Sequence, residues 1–187
     1  MTTTRSLGEE ARGLPREPTA RWILVLVAGL VAVWLAVLAW QVQVLPERVP
    51  THFGAGGVPD GWSSKSGAIA FSTLGPLLFA LPLPLMSLLV LRWPAGINAP
   101  NRQWWTATAP RLRRFERLLR EDLWLIAAVM LVMFIGIQVG ISEAARTPEG
   151  RMPGVWLVGP VTVVFVGTGV VLARMFGSRY AEQPDLG

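Results

Sequence analysis

The chain is poor in the side chains that build most catalytic and metal sites. It has no cysteine and a single histidine, His52. Disulfides and thiolate metal ligands are therefore excluded, and one imidazole does not suffice for a zinc site. We predict no cofactor and no bound metal. Lysine is also scarce, because Lys65 is the only one of the 17 basic residues that is not arginine. This arginine bias, with abundant alanine, glycine and valine, indicates a bacterial gene rich in G and C.

Apolar residues are abundant and concentrated in blocks. They make up 52% of the chain, and the mean hydropathy is +0.45, which exceeds the usual range for a soluble domain. Most of them lie in four blocks long enough to cross a hydrocarbon core of about 30 Å. We therefore predict an all-α integral membrane bundle of four transmembrane helices. The predicted spans are residues 22–44, 67–91, 123–141 and 155–176.

The segments beside the first two spans also carry predictions. The first block lacks the short core and Ala-x-Ala site of a cleaved signal peptide, so we expect a retained anchor helix. Residues 1–21 form a polar tail that we expect to be mobile. In the second block, Pro76, Pro82 and Pro84 predict a kinked or broken helix. Its freed carbonyls then need partners from neighbouring helices or water.

The distribution of positive charge predicts the orientation. Thirteen of the 17 basic residues lie in the N-terminal tail, the 92–122 linker and the C-terminal segment from Arg174. By the positive-inside rule, both termini, including the tail 177–187, are cytoplasmic, and the loop 45–66 is extracytoplasmic. The predicted location is the bacterial plasma membrane. This placement accounts for the net charge of +5 without a nucleic-acid partner.

The linker and the third span contain two further patterns. Residues 111–121 carry apolar side chains at helical spacing with arginines between them, which favours an interfacial amphipathic helix on an anionic membrane surface. The alternative is a solvated helix face with pairs such as Glu116 and Arg120. Gln138 should face other helices. The GxxxG step of Gly136 and Gly140 favours packing within the chain over dimer formation.

The loop 45–66 carries the most information, since it is rich in proline and glycine and contains the only histidine and the only lysine. Such a loop can hold a defined shape against the helix ends. It resembles the signature of the bacterial membrane domain-of-unknown-function 1648 family, the SdpI-like immunity and signalling membrane proteins. The residues that match this signature are Leu45, Pro46, Pro50, His52, Phe53, Gly57, Asp60, Trp62, Ser64 and Lys65.

A second stretch of the linker is similar to the same family's cytoplasmic motif. Its residues are Asn98, Pro100, Asn101, Arg102, Trp104 and Trp105. The resemblance covers residues 22–122, which form an SdpI-like domain in this interpretation, and residues 123–176 then form a second helical pair. It implies a role in immunity or signalling. The linker motif either binds a cytoplasmic regulator or anchors aromatic side chains at the membrane interface.

The charged loop residues admit more than one interpretation. His52, Asp60 and Lys65 either recognise an extracellular peptide or lipid head group, or fix the loop through mutual and backbone hydrogen bonds. A catalytic interpretation makes His52 a general base oriented by Asp60, with Ser63 or Ser64 as nucleophile. The sequence lacks a Gly-x-Ser-x-Gly elbow, and we predict that the protein is not an enzyme.

Three functional hypotheses follow from these features. The first is a protein that binds or senses an extracytoplasmic peptide or lipid through the loop 45–66. The second is a structural or accessory subunit of a larger membrane complex. The third, a transporter or membrane-embedded enzyme, ranks last, because the interiors of the spans contain no charged residue to relay ions. The lipid bilayer is the one partner common to all three, and the oligomeric state stays open.

Overall fold

The computed structural model describes residues 6–186; residues 1–5 and 187 of the two predicted tails lie outside the described residues. Four helices in this part of the chain are long and apolar enough to cross a membrane. Each of the four predicted spans therefore lies in such a helix. Their observed bounds are Arg21–Val44, Lys65–Arg92, Ala109–Ala145 and Gly154–Phe176.

The elements follow one another in a simple order along the chain. The helices are α1 (Leu7–Gly13), α2 (Arg21–Val44), α3 (Lys65–Gly75), α4 (Leu89–Arg92), α5 (Arg102–Trp105), α6 (Ala109–Ala145) and α7 (Gly154–Phe176). Between α2 and α3 lie two antiparallel strands, β1 (Arg48–Phe53) and β2 (Pro59–Ser64). The hairpin that they form stands at one end of the bundle, and the first half of α6 stands at the other. We call the latter the arginine-rich end.

The second span is broken, as the prolines predict. Regular α-helix ends at Gly75, and a π-helical turn Pro76–Ala80 and a 3-10 segment Leu83–Leu88 lead into α4. Since Pro76 has no N–H, the carbonyl of Ser72 lacks its donor within the helix. It accepts from Trp34 Nε1 at 3.0 Å and from Gln138 Nε2 at 2.8 Å instead. Neighbouring helices therefore satisfy the freed carbonyl, and Gln138 faces the bundle interior as predicted.

Helix α6 is the centre of the molecule. It has 37 residues and rises about 55 Å, well beyond the thickness of a hydrocarbon core. Its membrane portion packs against α2, the broken second span and α7. The segment 111–121 continues straight into the third span, because no glycine or proline interrupts the helix there.

The first part of α6 differs from the predicted interfacial helix. Its apolar side chains are buried within the protein, in a core at the arginine-rich end that also takes in α1, α5 and the C-terminal segment. The residues of this core are Ala11, Leu91, Ile97, Trp105, Leu112, Phe115, Leu118 and Tyr180. The prediction failed because helical spacing shows that one face is apolar but not whether lipid or protein covers it.

The predicted mobile tail also contains structure. Helix α1 begins with a capping box, in which the Ser6 hydroxyl accepts from the Glu9 amide and the Glu9 carboxylate accepts from the Ser6 amide. Ala11 is fully buried, and Arg12 donates to the Leu91 carbonyl at 3.0 Å. A Cβ at Gly8 would lie 2.2 Å from that carbonyl oxygen. The tail thus docks against the end of the second span.

Small residues bring α6 and α7 together. A Cβ at Gly140 would lie 2.7 Å from the Trp156 Cβ, and one at Gly136 would lie 3.1 Å from Pro160. The GxxxG step therefore serves packing within the chain, as predicted. The outer faces of α2 and α7 remain apolar and uncovered, as Val25 at 71% and Phe165 at 75% exposure illustrate. Such faces suit contact with lipid.

Candidate functional site: the hairpin surface

The loop 45–66 folds as a β-hairpin with an irregular register. Arg48 pairs with Ser64 and Pro50 with Trp62, and the register shifts on either side of His52. Gly56 and Gly57 at the tip have φ values of 72° and 75°, a region that favours glycine. Sequence patterning predicted a defined shape here but not the strands, since prolines and glycines interrupt any alternation.

The hairpin brings His52 and Asp60 together. The imidazole Nδ1 lies 2.5 Å from Asp60 Oδ1, and since a carboxylate only accepts, Nδ1 is the donor. The side chains remain 77% and 54% exposed. Gly61 stands opposite His52, where a Cβ would come within 2.8 Å of the His52 Cβ. Two of the three residues expected to fix the loop by mutual hydrogen bonds, His52 and Asp60, are therefore paired.

An aromatic side chain and an arginine extend this surface. The Arg48 guanidinium lies over the Trp62 ring, 4.6 Å from its centroid, and Trp62 is 42% exposed. Val58 near the tip is 46% exposed. We call the exposed set Arg48, His52, Val58, Asp60 and Trp62 the hairpin surface. It combines a hydrogen-bonding pair with uncovered apolar area.

The hairpin is fixed from beneath. The Met152 amide donates to the Gly57 carbonyl at 2.9 Å, and Arg151 donates to the Gly56 carbonyl at 2.9 Å. Leu45, Val49, Ala68, Ile141, Ala144 and Met152 form a buried cluster under the strands, with Phe53 packed against it. The hairpin surface is thus presented by a backbone tied both to the helices and to the loop between α6 and α7.

The remaining residues of the loop signature act locally. The Ser64 hydroxyl caps α3 by accepting from the Gly67 amide at 3.1 Å, and Pro50 is fully buried. Pro46 is exposed and follows the end of α2. The Lys65 amide donates to the Glu47 carbonyl, while its side chain forms no ion pair with residues 6–186. Lys65 is therefore not part of the His52–Asp60 pair.

A cavity lies between the hairpin and the helices. Its volume is about 270 Å³, and its lining residues are Thr51, Ser63, Gly67, Ala68, Phe71, Ile137 and Ile141. The lining is apolar except for the two hydroxyls. The cavity thus lies where the hairpin meets α3 and α6.

A polar cluster within the membrane was only partly predicted. Besides the contacts of Ser72, Gln41 Nε2 donates to the Gln138 carbonyl and to Ser142 Oγ, both at 3.1 Å. Both glutamine side chains are at most 1% exposed. The sequence signal for this cluster was the proline four residues after Ser72, together with a glutamine in each of two apolar spans.

The linker motif has a structural role at the arginine-rich end. Asn101 Nδ2 and Trp105 Nε1 both donate to the Tyr180 carbonyl at 3.1 Å. Arg102 donates to the Ala95 carbonyl at 2.9 Å. Trp105 is fully buried, so the motif holds the C-terminal segment against α6. Neither Asn98 nor Pro100 takes part in these bonds; both line a cavity of about 180 Å³ beside Tyr180.

The four arginines of α6 between residues 113 and 120 are ion-paired with carboxylates of the protein. Arg120 pairs with Glu116 at 3.1 Å, and Arg114 and Arg117 pair with Glu17 at 2.6 and 2.8 Å. The alternative of helical pairs, with Glu116 and Arg120 as its example, therefore describes this segment better. Glu17 comes from the predicted tail, which explains why helical spacing alone did not reveal the network.

Two further groups of this network come from the C-terminal segment. Arg179 pairs with Glu121 at 2.7 Å and with Asp122 at 2.9 Å. Burial by itself would lower the pKa of Arg179, but the hydrogen bond to Glu121 and the charge of Asp122 outweigh it and raise that pKa. The Tyr180 hydroxyl donates to Asp122 at 2.8 Å. Burial first, and then the negative charge of Asp122, raise the pKa of Tyr180.

Four helices of the described chain are long and apolar enough to cross a membrane, and three of them pack against the fourth, α6. The chain is therefore of the multi-pass membrane class. Residues 24–75 match the family model described as Domain of unknown function (DUF1648). The matched segment comprises most of α2, the whole hairpin and α3, and it ends one residue before Pro76. The similarity to this family thus covers the part of the chain that carries the hairpin surface.

One relative extends the similarity over most of the chain. An uncharacterized protein of Archaeoglobus fulgidus is 27% identical over 169 residues, an alignment that covers 79% of this chain and 85% of the relative. No solved structure matches the chain. Neither the family description nor the relative's name states an activity, so function has to be argued from the geometry of the site.

Proposed function

We propose that the protein binds an extracytoplasmic peptide at the hairpin surface, in an immunity or signalling role of the SdpI-like type in bacteria. The observation that carries this proposal is the exposed His52–Asp60 pair. A hydrogen bond this exposed adds little to stability, whereas the hairpin that presents it is tied to the helices at several points. A rigid scaffold under exposed polar and aromatic side chains is typical of recognition surfaces.

The chemistry of the pair indicates what it would bind. With Nδ1–H donated to Asp60, Nε2 is an acceptor whenever the imidazole is neutral, and Asp60 Oδ2 is a second acceptor. Neither atom has a partner within residues 6–186. Two outward acceptors suit the donors of a peptide, such as an amine, a guanidinium or backbone N–H groups. A lipid phosphate offers acceptors of its own and suits this pair less well.

The flanking side chains add apolar area for such a peptide. Trp62 and Val58 are 42% and 46% exposed. Tryptophan in particular is among the residues that supply much of the binding energy in interfaces. In this proposal the hairpin faces the outside, in keeping with the positive-inside prediction, and the linker motif at the opposite end recruits a cytoplasmic regulator.

The test uses substitutions that keep the hairpin backbone. His52→Ala and Asp60→Asn are compared with Glu149→Gln, whose side chain is 79% exposed on the neighbouring loop. Wild type and the purified variants, in nanodiscs, are titrated with a panel of synthetic peptides. The panel contains cationic and anionic peptides with the sequences of secreted ones. We expect wild type and Glu149→Gln to bind at least one cationic peptide, and the two hairpin variants to lose about tenfold in affinity. Absence of binding across the panel, or equal binding by all variants, would contradict the proposal.

An accessory-subunit role is the second candidate, and the outer face of α7 favours it. A Cβ at Gly159 or Gly169 would have no atom within 4 Å, so both glycines lie open to a close neighbour. Small residues on a lipid-facing side permit tight helix association. Co-purification in mild detergent tests this role. A stoichiometric partner that co-purifies with wild type and with Val158→Leu, but not with Gly159→Leu, would support it. Recovery of an unpartnered monomer would count against it.

A further inference from the structure

A second surface, far from the hairpin, combines a lipid-facing groove with a basic cleft. Helices α2 and α7 both pack on α6, and an apolar groove of about 480 Å³ runs between them. Its walls include Trp22 and Leu30 of α2 and Val163 and Val170 of α7. From Val163 to Arg174 the helix rises roughly 16 Å, about half of a hydrocarbon core. The groove thus has the length of one leaflet.

The floor of the groove depends on close helix packing. A Cβ at Gly167 would lie 2.7 Å from Val129 of α6, so a larger residue there would push α7 away. Val170 on the wall is 64% exposed, and no described element covers it. The groove is therefore already formed in the folded protein. No segment of residues 6–186 covers it, so it is open to lipid acyl chains.

A polar cleft of about 570 Å³ opens at the arginine-rich end of the same groove. Three arginines line it, Arg117, Arg174 and Arg179, together with Ser178 and Gln183. The two spaces share Arg174. The Asp122 and Glu121 carboxylates lie deeper, with side chains 0% and 4% exposed, whereas Glu17, which pairs with Arg117, is 27% exposed. Among the described residues that line the cleft there are three arginines and no carboxylate, so its walls are positive.

Arg174 is the least committed of these arginines. Its ion pair with Asp122 is long, 3.6 Å from Nε to Oδ1, and its guanidinium makes no hydrogen bond with any residue from 6 to 186. Its side chain is 33% exposed. By contrast, Arg179 holds both Glu121 and Asp122 within 2.9 Å. Arg174 therefore has donors free for an external anion where the apolar groove begins.

We propose that these two spaces form a binding site for one anionic phospholipid. An acyl chain lies in the groove between α2 and α7, and the phosphate accepts from Arg174 in the cleft. Arg117 and Arg179 supply the surrounding positive field, and the Ser178 hydroxyl can donate to the head group. A basic pocket between transmembrane helices is a known way of selecting acidic lipids.

The experiment is a lipid titration followed by native mass spectrometry of the whole protein in non-ionic detergent. Phosphatidylglycerol and phosphatidylcholine with identical acyl chains are the probes. We expect the first phosphatidylglycerol to bind about fivefold more tightly, the effect of one nearby arginine. Arg174→Gln should remove this preference. Arg92→Gln, an exposed arginine at the same end, is the matched control and should retain it.

A second pair of variants tests the groove. Val170→Phe fills it from the wall and should weaken binding of both lipids, whereas Val166→Phe is the control, since Val166 is 61% exposed on the same helix and does not line the groove. Equal effects of Arg174→Gln and Arg92→Gln, or of the two valine variants, would overturn the site. So would a disulfide-linked dimer of Val170→Cys, formed on addition of an oxidant, since the chain has no other cysteine.

Discussion

Tyr180 shows how one side chain at the arginine-rich end depends on its surroundings. It is 1% exposed, its carbonyl accepts from Asn101 and Trp105, and its hydroxyl donates to Asp122. Burial and the Asp122 charge raise the pKa of the phenol above its ordinary value of about 10. In the unfolded chain the phenol ionises near that ordinary value. The protonated folded state is therefore stabilised fully below pH 10, and this contribution is lost as pH rises beyond it.

We therefore predict a difference between wild type and Tyr180→Phe that depends on pH. Below pH 10 the variant should be about 2 kcal/mol less stable, because a buried hydrogen bond to a charged group is lost. Above pH 10 the difference in stability should narrow, because the phenol of unfolded wild type then ionises and favours unfolding, whereas the variant has no tyrosine to ionise. Unfolding midpoints in detergent from pH 8 to 11 measure it. Tyr180 is the only tyrosine, so tyrosinate absorbance should appear with unfolding; its appearance in folded protein near pH 10 would contradict the prediction.

Gly57 plays a comparable part at the hairpin end. Its φ is 75°, and a Cβ would lie 2.1 Å from the Met152 carbonyl oxygen. We predict that Gly57→Ala lowers the free energy of unfolding by about 2 kcal/mol, because both the strained backbone and the clash must be relieved. Gly159→Ala is the control. Its added Cβ would have no atom within 4 Å, so the free energy of unfolding should stay the same or rise slightly. Thermal unfolding in detergent compares them, and equal melting temperatures would refute the role of Gly57.

Among the elements, the broken second span offers a test of how a proline is tolerated in a membrane. The Ser72 carbonyl has two donors, Trp34 and Gln138. When one donor is removed, the carbonyl keeps the other. Trp34→Phe and Gln138→Leu should therefore each lower the free energy of unfolding by only about 0.6 kcal/mol. The double variant leaves the carbonyl without a donor and should cost at least about 1 kcal/mol more than the sum.

Restoring the missing amide is the matched control for that pair. Pro76→Ala places an N–H four residues after Ser72, where an α-helix would supply the donor. In the double-variant background it should recover much of the lost stability, while in wild type it should change little. Unfolding midpoints in mixed micelles are measured for wild type and the five variants. Additive single effects without rescue would show that the Ser72 carbonyl needs no donor.

The elements that could be predicted from sequence are those whose signal is local. Apolar block length identified the four spans, and prolines identified the break after Gly75. Three features were not predicted: the strands of the hairpin, helix α1, and the burial of Phe115 and its apolar neighbours. The strands and the burial depend on contacts between distant residues, such as Met152 with Gly57. Helix α1 did have a local signal, the capping box of Ser6 and Glu9, but its docking through Ala11 depends on the core at the arginine-rich end.

For the candidate site the same limit applies. The resemblance of the loop 45–66 to a family signature singled out His52 and Asp60, and they do form a pair. It also grouped Lys65 with them, although Lys65 begins α3 and points to no partner within the described chain. The groove between α2 and α7 could not be predicted, because the sequence does not distinguish a valine that lines the groove from any other lipid-facing valine.

At the level of the whole molecule, four crossings would place residues 6–20 and 177–186 on one side of the membrane and the hairpin on the other. The absence of cysteine makes this testable with single introduced thiols. Ala55→Cys lies at the hairpin tip and Glu182→Cys in the C-terminal segment, and both positions are exposed. The excess of arginine at the end that carries Glu182 predicts that this end is cytoplasmic.

In intact cells, a membrane-impermeant maleimide should therefore label Ala55→Cys and leave Glu182→Cys unlabelled until the cells are lysed. Wild type, which has no thiol, is the control for background. The reverse pattern would invert the orientation and place the hairpin surface in the cytoplasm, which would remove the proposed extracytoplasmic peptide but leave the lipid site intact. Labelling of both positions in intact cells would contradict the four-span topology itself, because the helices that separate Ala55 from Glu182 could not then all cross the bilayer.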